Sequence, residues 1–123
     1  MPEAAVLGVG IDAEERNALR HLDEAALRRA ADRWLTPAER AWCAAQGSLE
    51  ESLVVVLCCK EAAFKAWKGP RVVHQVSLAL EGSAAAGRAR AEGTEVAIQV
   101  EWRQAAGHIV ALALAVGTDG GPA

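Results

Sequence analysis

Cysteine is scarce in this chain and badly placed for cross-linking. There are three, Cys43, Cys58 and Cys59, an odd number with two adjacent, and neighbouring cysteines make poor disulfide partners. A disulfide scaffold is thereby excluded, and the buried free thiols this leaves point to a cytoplasmic setting. No C-x-x-C pair occurs, and His21, His74 and His108 stand far from the cysteines, so the ligand spacing of a zinc site is missing too. An excess of basic charge is also lacking. Lys and Arg number 13 against 16 Asp and Glu, a formal charge of -3, which argues against nucleic acid as a partner. No apolar run approaches the roughly 20 residues that span a bilayer, and the chain does not open like a secretory signal. Neither a repeat nor a linker divides it.

What is present is a composition that folds. The 123 residues are 52% hydrophobic and 24% charged, with a mean hydropathy of +0.10, enough for one core and one domain. Residues 4 to 12, AAVLGVGID, have the pattern of a buried strand whose last side chain emerges at an edge. From Asp23 to Trp34, Ala26, Leu27, Ala30, Ala31 and Trp34 recur at helical spacing. Thr36, Pro37 and Glu39 form a capping-box start for a second helix, to about Gln46. Gly47 and Ser48 then separate it from a third, expected over 49 to 68.

After Pro70 the hydrophobic period drops from 3.6 to 2. Strands are expected over 71 to 80, 86 to 91, 94 to 103 and 108 to 116, with turns at Gly82, Gly87, Gly93 and Gly107. The clearest alternates Val96, Ile98, Val100 and Trp102 with polar neighbours, the mark of a half-solvated antiparallel strand. The last, HIVALALAV, is too apolar for a solvated face and suits the core or a subunit contact. The expected fold is α+β: an N-terminal strand, three helices and an antiparallel β-meander, in one domain over 1 to 116 with a frayed tail over 117 to 123.

The third helix holds the chemistry. Between Leu53 and Trp67 only Lys60, Glu61 and Lys65 are polar, and charge on an apolar helix must be paired, ligated or opened to a cleft. With Leu53 as zero and about 100° per residue, Lys60 falls near about -20°, Glu61 near about 80° and Lys65 near about 120°. All three occupy one arc, and Glu61 and Lys65 share a face. The bland alternative is a surface Glu-Lys pair one turn apart. Asp12 and Glu14, two apart in an extended strand, would project from one side. Together with Glu61 they compose an all-oxygen donor set of the kind magnesium prefers, with Lys65 placed to meet a phosphate.

Gly8-Val9-Gly10-Ile11-Asp12-Ala13-Glu14, followed by Cys59-Lys60-Glu61-Ala62-Ala63-Phe64-Lys65-Ala66, resembles the two-part signature of the 4'-phosphopantetheinyl transferase superfamily, in its holo-[acyl-carrier-protein] synthase-like form. Leu35-Thr36-Pro37-Ala38-Glu39-Arg40 resembles the helix start these proteins carry between the two parts. The resemblance covers about residues 8 to 69 and implies transfer of the phosphopantetheine arm of coenzyme A to a serine of an acyl or peptidyl carrier protein. By position, it implies Asp12, Glu61 and Glu14 as Mg2+ ligands and Lys65, with Lys60, on the coenzyme A phosphates. Asp12, Glu61 and Lys65 are the implied catalytic residues; Glu61 or a metal-bound water would take the serine proton. Short members of the family work as homo-oligomers, so a trimer or dimer is implied as well.

The superfamily's Ser-His-Ser element is missing, which leaves the nucleotide end of the pocket unassigned; His108 is its only remnant candidate, and a surface histidine is the plainer reading of both His108 and His74. Arg16, Arg20, Arg28, Arg29, Arg33 and Arg40 form a candidate docking strip for an acidic carrier, or a solvated helical face with pairs such as Asp32 with Arg28. The competing function is a catalytically silent domain of the same fold that binds carrier protein or builds an oligomer.

Overall fold

The computed structural model describes residues 4–67 and 76–118. Its elements are β1 (Ala4–Glu15), α1 (Glu24–Trp34), α2 (Pro37–Ala44), α3 (Leu49–Ala66), β2 (Ser77–Gly82), β3 (Ala86–Glu92), β4 (Ala97–Ala105) and β5 (His108–Thr118). The strands form one antiparallel sheet in the order β1-β5-β4-β3-β2. This is the α+β arrangement expected, a meander whose last strand returns beside the first.

Local chemistry sets the helix boundaries. Asp23 caps α1 through the Ala26 N–H. Thr36 and Glu39 complete a capping box with Pro37 in the first turn of α2, and Ser48 caps α3 through the Glu51 N–H. Helices α2 and α3 both end two residues short of expectation, at Ala44 and Ala66.

Helix α3 is the centre of the molecule. One side lies on the sheet with Val55, Cys58, Cys59 and Ala62; the other carries Leu53 and Val56 into a second cluster with Leu27, Ala31, Leu35 and Cys43 of α1 and α2. Being sandwiched explains its nearly unbroken apolar sequence, since each large side chain so buried contributes about 1.5–3 kcal/mol.

Against β1 the contact is between backbones. A Cβ placed on Gly8 would stand 1.9 Å from the Ala66 carbonyl oxygen, and one on Gly10 would stand 2.0 Å from that of Ala62. The two glycines are what let the helix lie on the strand.

The expectation of a buried first strand is corrected. β1 is an edge strand, with Val6 61%, Val9 53% and Ile11 59% exposed. Its alternate residues Gly8 and Gly10 face α3. Register places Val9 opposite Leu114 and Ile11 opposite Leu112, so the uncovered face of β1 and β5 is apolar. The β5 expectation divides the same way: Ile109, Ala111, Ala113 and Ala115 are fully buried while Leu112 is 41% exposed.

Other boundaries shift. β5 continues through Gly117 and Thr118, which pair with Ala5 and Ala4, so these two residues belong to the sheet; the rest of the expected tail, 119–123, lies outside the described residues. β4 starts at Ala97 rather than 94, and β2 runs Ser77–Gly82; the expected strand residues 71–75, His74 included, lie outside the described residues.

The β4–β5 turn is a two-residue hairpin in which Ala106 (φ 51°) and Gly107 (φ 81°) both take left-handed backbone, as a type I′ turn requires. Ala106 bears the steric cost of that conformation. Ala106→Gly should therefore stabilise the fold by about 1 kcal/mol, and Gly10→Ala should cost about 3 kcal/mol or more by forcing α3 off β1. Both are read from urea unfolding midpoints.

Candidate active site

The glycine face of β1 continues past the helix contact. Gly10 lies opposite Ala113, Asp12 opposite Ala111 and Glu14 opposite Ile109, so Asp12 and Glu14 emerge on the α3 side where the strand outruns the helix packing. The Cys58 thiol marks the transition, donating to the Asp12 carbonyl at 3.4 Å. Lys65 reaches over from α3: its Nζ lies 3.0 Å from Asp12 Oδ1 and 3.2 Å from the Ile11 carbonyl. The Lys65 side chain is 44% exposed and that of Asp12 10%.

Asp12, Glu14 and Glu61 line one groove of about 320 Å3, walled by Ala18, Leu19, Val54 and Leu57. The structure thus brings together four of the five residues expected at the site. The walls were not anticipated. Ala18 and Leu19, two apolar residues in the polar segment after Glu14, were the available signal for them. A larger hollow of about 630 Å3 lies between α2 and β2–β4, but its charges include the solvent-facing pair Arg88 and Glu81 at 3.6 Å, and none of the expected site residues lines it.

Lys60 is the exception. Its side chain is fully buried, with Nζ 2.8 Å from Glu39 Oε1 and 3.1 Å from the Trp34 carbonyl. The expectation that Lys60 holds cofactor phosphate is corrected: it points to the α1–α2 side of the helix, where no ligand in the groove can meet it. The angular arc that grouped it with Glu61 held no information about which neighbour covers which flank.

Electrostatics single out the groove. Burial, followed by the negative charges of Asp12 and Glu61, raises the Glu14 carboxyl above its ordinary pKa, with Lys65 opposing. The hydrogen bond from Lys65 to Asp12 holds the ammonium above its ordinary value despite some desolvation. Asp12 Oδ2 is buried with no hydrogen-bond partner, an acceptor left open beside two further carboxylates. Among the described residues no three His, Cys, Asp or Glu side chains already stand as a closed metal cluster. The oxygen-only donor set and the orphaned Asp12 oxygen nonetheless suit a hard cation. The cysteines take no part: burial pushes the Cys58 and Cys59 thiols far up.

Arg16, Arg20, Arg28, Arg29 and Arg33 are exposed, whereas Arg40 turns inward to the Leu35 carbonyl at 2.7 Å. Arg28 pairs with Glu24 at 2.9 Å, and Asp32 lies 3.9 Å from Arg40; the anticipated Asp32–Arg28 pair is replaced by these. His108 is exposed at the start of β5, its Nδ1 3.2 Å from the Ala106 carbonyl.

A strand-end carboxylate pair set against a carboxylate and an ammonium on a buried helix is an arrangement that suits an α+β enzyme with a phosphate-bearing substrate. The family model of the 4'-phosphopantetheinyl transferase superfamily matches residues 8–113. The chain belongs to that superfamily, whose activity is phosphopantetheinyl transfer. Similar solved structures include the holo-ACP synthase of Plasmodium yoelii, at TM-score 0.70 and 20% identity over 95% of this chain and 99% of that one. Others are the acyl carrier protein synthase of Mycobacterium tuberculosis, at 0.59 and 22% over 94% and 100%, and the holo-[acyl-carrier-protein] synthase of Neisseria meningitidis, at 0.68 and 18% over 90% and 98%. No curated protein sequence matches the chain.

Because Glu14 binds its proton more tightly in the folded chain, its ionisation destabilises the fold as pH rises from the ordinary value of 4.5. Glu14→Gln should therefore raise the melting temperature at pH 7 in EDTA. The gain should vanish below about pH 4, which calorimetry across that range measures.

Proposed function

We propose that the chain transfers the 4'-phosphopantetheine arm of coenzyme A to a serine of an apo acyl or peptidyl carrier protein, in a Mg2+-dependent reaction. The observation that carries this is the buried, unpartnered Asp12 Oδ2 in a groove shared with Glu14 and Glu61, with Lys65 on the same carboxylate. Asp12, Glu61 and Glu14 would hold the ion, which when bound supplies charge neutralisation to the pyrophosphate.

The chain's own residues do the rest. In-line displacement at phosphorus needs positioning and charge compensation more than a covalent nucleophile, which agrees with the inert, buried thiols. Lys65 sits at the rim with a half-exposed ammonium and binds a phosphate oxygen of coenzyme A. Glu61 accepts the proton of the carrier serine as its Oγ bonds to phosphorus, and the bond to the adenosine 3',5'-bisphosphate leaving group breaks. Leu19, Val54 and Leu57 keep one wall of the groove apolar and limit competing water.

The acidic partner would dock on the arginines that flank the groove. Arg16 and Arg20 follow Glu14 and bracket the wall residues Ala18 and Leu19, so a carrier held there has its serine near Glu61. The uncovered apolar face of β1 and β5 supports a homo-oligomer, trimer or dimer, in which a second subunit covers Val9, Ile11 and Leu112. No helix among the described residues is long and apolar enough to cross a membrane, in keeping with a cytoplasmic enzyme.

Incubation with coenzyme A, Mg2+ and an apo carrier protein, read by the carrier's mass, tests the reading. The wild-type chain should add one phosphopantetheine per carrier, and Asp12→Ala and Glu61→Ala should each lower the rate by about 100-fold or more. No mass gain across fatty-acid, polyketide and peptide carriers would instead make this a silent domain that binds carrier protein.

A further inference from the structure

Lys60 and Glu39 have no part in the transfer described above, yet both side chains are completely buried. Glu39 Oε1 takes the Lys60 ammonium and the Thr36 N–H, each at 2.8 Å, and Oε2 takes the Leu78 N–H at 2.8 Å. Lys60 also donates to the Trp34 carbonyl at 3.1 Å. One ion pair thus joins the end of α1, the start of α2 and the start of β2 to the middle of α3.

Such a pair is a poor stabiliser, because desolvating two charges offsets most of their attraction, and apolar side chains of similar volume hold a core as well or better. What it supplies that apolar packing does not is direction, since charge-assisted hydrogen bonds fix both distance and angle.

The direction matters because of where Glu61 lies. At about 100° per residue, Lys60 and Ala62 point about 200° apart on α3, and Glu61 falls between them at about 100° from each. Ala62 is the residue whose carbonyl meets Gly10. The helix is gripped on two opposite flanks, by backbone contact with β1 and by the ion pair with α2. It cannot turn about its axis without parting one of them.

We propose that the Glu39–Lys60 pair is a positioning device that sets the rotation of α3, and through it the approach of Glu61 and Lys65 to Asp12. The proposal rests on the transferase reading and adds two residues to it that touch no substrate. Glu39 is a capping residue by its sequence and Lys60 a ligand-binding residue by its motif; the structure assigns them jointly to alignment of the site.

The test removes both charges together in Glu39→Gln/Lys60→Met, which keeps an acceptor for the Thr36 N–H and strands no buried ion. Melting temperature should stay within about 5 °C of wild type, KM for coenzyme A within about twofold, and kcat should fall about tenfold or more. In a Glu61→Gln background the same double substitution should cost less rate than in the wild type, because one of the two groups it aligns is gone. Affinity for Mn2+, read by electron paramagnetic resonance, should weaken about fivefold or more. If the double variant does not fold, Lys60→Arg carries the test by keeping the charge while changing its reach: a folded protein with lowered kcat upholds the proposal. Folded variants with unchanged kcat and Mn2+ affinity overturn it. A wild-type chain that transfers nothing sinks the transferase reading, while the Mn2+ comparison still decides the alignment.

Discussion

The contact between α3 and β1 at Gly8 and Gly10 is the constraint on which the rest depends. A carbonyl within about 2 Å of where a side chain would begin leaves no room for even a methyl group, so the helix rests on strand backbone and the two elements lie as close as main chains allow. That closeness lets Lys65 span from the helix to Asp12 and the Ile11 carbonyl. It also puts Glu61 across a groove from Glu14. A helix held off by a layer of valines would carry the same side chains out of one another's reach.

Two lysines on this helix show how environment divides identical chemistry. Lys60 is sealed against α1 and α2, donating to the Trp34 carbonyl and to Glu39, and its charge serves the architecture. Lys65 stands half in water on a carboxylate whose other oxygen has no partner. The first arrangement is closed; the second leaves capacity for a ligand. Glu14 registers its surroundings too, its proton held more tightly first by burial and then by the negative charge of Asp12 and Glu61. Surplus carboxylate with a single ammonium beside it is the kind of charge imbalance that a cation and a phosphate together would relieve.

Much of this was legible before any coordinates. The capping box at Thr36 and Glu39, the Ser48 cap and the alternation of Ile98, Val100 and Trp102 each rest on interactions within a few residues and lie where expected, whereas the turn expected at Gly87 falls inside β3. The convergence of Asp12, Glu14, Glu61 and Lys65 was legible for a related reason, since a two-residue step in a strand and a four-residue step in a helix fix relative direction. The errors came where direction alone was insufficient. Lys60 has the angular position of a site residue, but which flank of α3 meets α2 depends on packing. β1 reads as buried because it is apolar, while its outer face is open because the described helices cover only the opposite face of the sheet there. The groove walls at Ala18 and Leu19 sit in consecutive turns with no period to follow.

The sequence by itself determined the elements, their caps, the α+β class and the list of acidic and basic groups available for chemistry, because local hydrogen bonding and side-chain periodicity act over single turns and strands. Only the tertiary structure decided which lysine faces solvent and which is locked away, which side of β1 is covered, and that three carboxylates share one groove. Those outcomes depend on contacts between segments some 50 residues apart, such as Asp12 with Lys65, and no local pattern encodes the distance at which two such segments come to rest.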